Sequence, residues 1–256
     1  MGTEMFHAAD GYDLLIGRFL PSLAPAFADF AGVRAGSVLD VGCGPGGLTI
    51  ELAHRVGAAN VSAIDPSPPF VAACRERVAG AEVVEGVAEE LPYPDRVFDA
   101  ALSSLAVGFM SDPQQGVREM ARVTRADGVV ALCFWDHLRM QGIAHFWNAA
   151  HRVLGVAPVD ERLTGRRDGE LAALLDGAGL VDIHATEIVA TARYADADDL
   201  WAGYTARIGP IGQYVQTLTP DQLDAVRAAV REDLDEPDRP FTLTAVAWAA
   251  RGAVPA

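Results

Sequence analysis

Five short apolar runs alternate with stretches of helical periodicity through the first half of the chain, and this rhythm constrains the fold most. The runs are Ser37–Val41, Asn60–Ile64, Ala81–Glu85, Val97–Ser103 and Gly128–Phe134. Their length and β-branched content read as strands. Between them Leu48–Val56, Ser67–Ala79 and Pro113–Arg125 repeat apolar residues at helical spacing. In the last, Val117, Met120, Ala121 and Val123 are apolar while Arg118, Glu119 and Arg122 are not, as suits a helix lying on a sheet. Pro113 fits a first helical turn, with Ser111 or Asp112 as its cap. Strand–helix–strand order with short loops implies right-handed crossovers and a parallel sheet. The expected class is α/β, a doubly wound and mostly parallel sheet.

The second half changes character. Helical stretches at Met140–Leu154 and Gly169–Ala178 precede a strand at Val181–Ala190. Helices near Asp196–Ile208 and Asp221–Leu234 follow, then a last strand at Phe241–Arg251. The last two strands read as an antiparallel pair added to the sheet edge, making seven strands. No Gly/Ser or Pro-rich linker and no internal repeat separates these parts, so residues 1–256 are expected to form one domain.

Composition bounds the function. The 256 residues carry 20 Lys+Arg against 35 Asp+Glu, a formal net charge of −15. Nucleic-acid binding through phosphate needs a positive face, so DNA and structured RNA are poor substrates for this chain. Every basic residue is arginine, which removes any Schiff-base lysine. Cys43, Cys74 and Cys133 are odd in number and widely spaced, against both a disulfide framework and a paired-cysteine zinc site. No metal is expected. No apolar stretch approaches the ~18–20 residues that span a bilayer, and the first residues lack the features of a signal peptide. The expectation is a cytoplasmic protein, monomer or homodimer, with a small-molecule partner and no membrane or nucleic-acid partner.

The most informative loop is Asp40-Val41-Gly42-Cys43-Gly44-Pro45-Gly46-Gly47, between the first strand and the first helix. Ligands lie across such a strand end in doubly wound sheets. Gly42, Gly44 and Gly47 satisfy G-x-G-x-x-G, and Asp65 stands 18 residues beyond, which alone would fit a dinucleotide. Two residues oppose that reading. Pro45 has no N–H to offer a pyrophosphate. The Asp40 carboxylate would repel phosphate and hold an ammonium. A ligand bearing an amino-acid group fits better, unless Asp40 merely braces the loop.

From here the chain resembles the class I S-adenosylmethionine-dependent methyltransferases, in particular the ubiquinone/menaquinone-biosynthesis-like small-molecule branch. Asp40–Gly46 matches the first motif, and Asn60–Ser67 matches the second strand with its terminal acid. Gly86–Asp95 looks like the adenine turn, Val97–Leu105 the fourth strand and Arg122–Val130 the approach to the fifth. The resemblance implies a Rossmann-like methyltransferase fold with inserted helices as a lid, and S-adenosylmethionine as cofactor. It also implies roles. Asp40 would orient the methionine ammonium, while Gly42, Cys43 and Gly44 line the cofactor with backbone. Asp65 and Pro66 would address the ribose, Ala88 and Glu89 the adenine, and Ser103, Ser104 and Leu105 the transferred methyl. Residues 10–135 become the cofactor-binding half, with helices in 136–180 and 191–240 shaping a substrate pocket. Val87 stands where the family's adenine turn carries aspartate, and reads instead as a packing residue. Ser67-Pro68-Pro69-Phe70 resembles an amino-methyltransferase signature but follows the wrong strand, so nucleobase methylation is not expected.

Other residues keep two readings. Tyr12 and Arg18 on an N-terminal helix are either a flap over the methyl group and methionine carboxylate or ordinary surface residues. Asp136 and His137, after Trp135 at the end of the fifth strand, are either a general base or a helix cap with a solvated imidazole. Phe146, Trp147, Trp201, Tyr204 and Tyr214 either line an apolar chamber or pack as core. The expected activity is methyl transfer to an oxygen, nitrogen or carbon of a partly apolar metabolite. The rivals are an NAD(P)-dependent oxidoreductase and a cofactor-binding protein that transfers nothing.

Overall fold

The computed structural model describes residues 9–156, 163–206 and 209–256, with the side chains of Ala9, Asp10 and His137 outside that description. Seven strands form one sheet in the order β3-β2-β1-β4-β5-β7-β6. They are β1 (Val38–Val41), β2 (Val61–Asp65), β3 (Glu82–Glu85), β4 (Phe98–Ser104), β5 (Thr124–Met140), β6 (Val181–Tyr194) and β7 (Phe241–Ala253). The first five pair in parallel. Strand β7 runs antiparallel to both β5 and β6, and β6 closes that edge. This is the Rossmann-like α/β fold.

Alternation along the strands explains the two layers. In β1, Val38 faces one core while Leu39 and Val41 face the other. In β5, Ala131, Cys133 and Trp135 point to the first side and Val130, Leu132 and Phe134 to the second. The first side is covered by α2 (Leu20–Ala31), α3 (Gly47–Val56) and the later helices α6 (Gln141–Leu154), α8 (Ala197–Thr205), α9 (Gly209–Val215) and α10 (Pro220–Glu232). The second is covered by α5 (Pro113–Val123) and α7 (Glu170–Gly177). Between β2 and β3 lies α4 (Pro68–Arg77), whose Val71 and Cys74 pack with Cys43, Ala63 and Val83. Helix α1 (Ala9–Leu15) precedes them all. For α5 the cap is Asp112, whose carboxylate accepts from the Gln115 N–H at 3.0 Å.

Three differences from the sequence reading stand out. Helix α2 goes unheralded because Pro21 and Pro25 interrupt its pattern, yet Leu23, Ala24, Phe27, Ala28 and Ala31 give it a buried stripe. Pro21 falls in the first turn, where no intrahelical N–H is lost. Strand β5 runs on through Met140, so Asp136 and His137 sit within it and not in a loop after it. The helix expected near Asp196–Ile208 ends at Thr205, with α9 a separate element; residues 207 and 208 lie outside the described residues.

Candidate functional site

A cavity of about 410 Å³ opens at the carboxyl ends of β1, β2 and β4, within the ~300–1,000 Å³ usual for ligand clefts. Its floor is the loop after β1. Gly42 and Cys43 both donate backbone N–H groups to the Ile64 carbonyl, at 2.8 and 3.0 Å. Gly42 has φ +75, and a methyl group built on it would overlap Ala106. Gly44 has φ +54, and a Cβ there would meet nothing within 4 Å. The first glycine makes room for the chain, the second for whatever lies above the loop.

Two carboxylates shape the floor. Asp65 at the end of β2 accepts from the Gly44 N–H at 2.8 Å and the Ser67 N–H at 2.9 Å, one on each oxygen. Burial nevertheless raises its pKa. Asp40 is fully buried, and its Oδ2 accepts from the Thr49 hydroxyl at 2.7 Å. Its Oδ1 has no hydrogen-bond partner. Burial pushes the Asp40 pKa up to about 7, against the effect of the Thr49 bond. A hydrogen bond with Cys74, together with burial, holds the Cys43 thiol well above its ordinary range, so it is no nucleophile.

The walls come from four other segments. Tyr12 lies half-buried with its ring edge-on to Phe70 at 5.9 Å. Burial and then Asp13 raise its phenol pKa, so it stays protonated. Ala88 and Glu89 form a further wall, with Glu89 Oε1 accepting from the Asp112 N–H at 3.0 Å. Ser104 ends β4 and Leu105 follows it, with φ +61 and its N–H donating to the Cys133 carbonyl at 2.9 Å. A leucine in that region is strained and held by its surroundings. Phe109 and Met110 follow, on a turn the sequence reading did not single out.

The structure thus brings Tyr12, Asp40, Gly42, Cys43, Gly44, Asp65, Pro66, Ala88, Glu89, Ser104 and Leu105 to one cavity. Ser103 is fully buried and does not line it, because alternation turns its side chain from the face that Ser104 presents. Asp136 is buried against Arg139, whose Nε donates to it at 2.8 Å, and also accepts from the Leu138 N–H at 2.8 Å. It is not on the cavity wall, and His137's side chain lies outside the described residues. Val87 is 45% exposed and lines the cavity, a correction to its reading as core.

Arg18 is corrected too. Its guanidinium makes a two-pronged contact with Asp199, donates to the Arg193 carbonyl at 3.3 Å and lies over the Tyr194 ring at 4.9 Å. A planar fork so engaged ties the N-terminal turn to α8 and is turned away from the cavity. Arg18→Ala is therefore expected to leave the affinity for a ligand of this cavity within about twofold by calorimetry. It should lower stability in urea by about 1–2 kcal/mol.

Nor do the later helices line this cavity, whose wall ends at Ser111. Their aromatic residues pack on one another, Phe146 on Tyr204 at 5.1 Å and Trp147 on Tyr214 at 5.3 Å. Among the described residues there is no group of three or more His, Cys, Asp or Glu able to hold a metal. No helix among them is long and apolar enough to cross a membrane.

Comparison with known proteins agrees with this geometry. A family model described as a methyltransferase domain matches residues 39–132. The malonyl-[acyl-carrier protein] O-methyltransferase of Pseudescherichia vulneris is 31% identical over 172 residues, covering 59% of this chain and 68% of that protein. The chain belongs to the class I S-adenosylmethionine-dependent methyltransferases. Within that family, the chloroplastic 2-methyl-6-phytyl-1,4-hydroquinone methyltransferase 1 of Oryza sativa subsp. japonica is 40% identical over 97 residues. That match covers 37% of this chain and 29% of the rice protein, so the chain spans under a third of that relative's length. In fold it is similar to the Haemonchus contortus phospholethanolamine N-methyltransferase 2, solved with S-adenosylhomocysteine. The TM-score is 0.58 at 16% identity, covering 97% of this chain and 57% of that one.

S-adenosylmethionine is the family's cofactor, and the residues present fit it. An orphaned, buried carboxylate oxygen on a residue that lines the cavity calls for a donor, and a cation above all. The open space over Gly44 leaves room for the rest of the molecule.

Proposed function

We propose that this methyltransferase-family chain transfers a methyl group from S-adenosylmethionine to an oxygen, nitrogen or carbon atom of a small, partly apolar metabolite. The observation that carries the reading is Asp40: buried, unpartnered at Oδ1 and on the cavity wall beside a loop whose Pro45 has no N–H for phosphate. That floor suits an ammonium and disfavours a dinucleotide pyrophosphate.

On this reading Asp40 holds the methionine ammonium, and the backbone of Gly42, Cys43 and Gly44 lies under the ligand. Asp65 and Pro66 take the ribose. Asp65 keeps lone pairs free beyond the two backbone N–H groups it already serves. The Ala88 backbone and Glu89 address the adenine, with Val87 covering it. Bound there, the sulfonium supplies an electrophilic methyl carbon that needs no further activation. The protein's own contribution is alignment and the exclusion of water. Tyr12, Leu105, Phe109 and Met110 enclose the other end, and their apolar surface supports a partly apolar acceptor. Three buried, free cysteines support a reducing, cytoplasmic setting.

The decisive experiment incubates the protein with methyl-labelled S-adenosylmethionine and metabolite extracts. Labelled product in at least one extract is expected; tight NAD(H) binding with none for the sulfonium would overturn the reading. Asp65→Ala should weaken adenosylhomocysteine binding by about 1–3 kcal/mol, since charge-assisted hydrogen bonds are lost. Unchanged affinity by calorimetry would place the ribose elsewhere.

A further inference from the structure

Thr49 lies in the first turn of α3 and is as fully buried as Asp40. Its hydroxyl donates to Asp40 Oδ2 at 2.7 Å, while Cys74 Sγ lies 3.5 Å from the same hydroxyl oxygen. With the thiol as donor to Thr49, the single hydroxyl proton is committed to Asp40. One carboxylate oxygen is thereby fixed, and the other is left unpartnered, on a residue that lines the cavity. We propose that Thr49 is a positioning residue that presents Asp40 Oδ1 to a ligand ammonium, and that binding of this ammonium expels a proton from Asp40 to solvent. The inference rests on the methyl-donor reading above, because the cation is that ligand's amino group.

The groups facing Asp40 support it. Asp65 comes from β2, Cys43 from the loop, Cys74 from α4, Cys133 from β5 and Tyr12 from α1, each electrostatically coupled to Asp40. None of these brings positive charge. Arg77, which reaches the Pro45 carbonyl at 3.3 Å, is paired with Asp13. Burial and Asp65 therefore raise the Asp40 pKa to about 7, with the Thr49 hydroxyl and backbone N–H opposing them. Without ligand the carboxyl keeps its proton in mildly acidic solution. An ammonium beside it favours the carboxylate, so the proton leaves as the cation arrives.

Calorimetric titration with adenosylhomocysteine at pH 5.5, 6.5 and 7.5, in two buffers of different ionisation heat, tests both parts. Affinity should rise roughly 25-fold between pH 5.5 and 7.5, with close to one proton released near pH 6. Asp40→Asn should remove that release. Thr49→Val takes away a bond that favours the charged form, so the rise moves to higher pH and affinity at pH 7.5 drops about three- to tenfold. Thr49→Ser should restore the wild-type profile. If Thr49→Val does not fold, the wild-type proton count and the Thr49→Ser profile still decide. A flat profile with no proton released overturns the coupling; a Thr49→Val profile superimposing on wild type overturns the positioning role. Absence of adenosylhomocysteine binding at every pH overturns the methyl-donor reading itself, a result distinct from a flat profile.

Discussion

Asp40→Asn is expected to make the unliganded protein more stable at neutral pH, by about 2 kcal/mol, while weakening adenosylhomocysteine at least a hundredfold. The stability gain follows from the burial of the carboxylate. Its folded pKa of about 7 lies above the ordinary 3.8, so the protonated form is favoured by folding. A raised acid contributes stability that is present below the unfolded pKa and disappears as pH climbs through the folded one. The wild type should therefore lose stability between about pH 4 and 7, a span of roughly three pKa units worth up to ~4 kcal/mol. Asparagine still accepts from Thr49 and carries no charge to desolvate, so that slope should vanish in the variant. Urea unfolding at several pH values measures it. Equal slopes in the two proteins would show that Asp40 is charged at little cost. The affinity loss has the opposite origin, since a neutral amide offers an ammonium no charge.

Gly42→Ala should be nearly as severe. A residue with a side chain at φ +75 is strained by about 1–2 kcal/mol. Overlap with Ala106 adds about 1–3 kcal/mol more. The expected loss is about 2–5 kcal/mol in chemical denaturation, with cofactor affinity falling because Ala106 follows the strained Leu105 on the opposite wall. Ala106→Gly made together with Gly42→Ala should recover the overlap part and leave the backbone part. If the double variant is no better than the single one, the close approach of the two loops is not the source of the defect.

The five parallel strands were legible because each is a compact apolar run bounded by turn residues, and the glycine loop because its acid and its proline disagree with phosphate. What escaped has a common cause. Helix α2 is set by tertiary packing of Leu23 and Phe27, and its two prolines hide that from a periodicity reading. Val87 has the composition of a core residue, and only the turn geometry exposes it. Arg18 matches a family position in sequence, but Asp199, 181 residues away, claims its guanidinium. Thr49 escaped for a similar reason: a threonine early in a helix is common, and its partner Asp40 becomes visible only when β1 and α3 are folded together. Contacts between separate elements decide α2, Arg18 and Thr49, and the path of the turn decides Val87; no local sequence pattern encodes them.

The Ser22 hydroxyl of α2 accepts from the Thr191 N–H at 2.8 Å, and its one proton is shared between the Thr191 and Phe19 carbonyls, each at 3.0 Å. One side chain thus stoppers both outward backbone groups of that residue on β6, and Arg18 occupies the Arg193 carbonyl two residues on. A foreign strand seeking to extend the sheet would find this stretch already taken. Lateral growth along β6 is confined to the portion before Thr191, and Ser22→Ala should widen it.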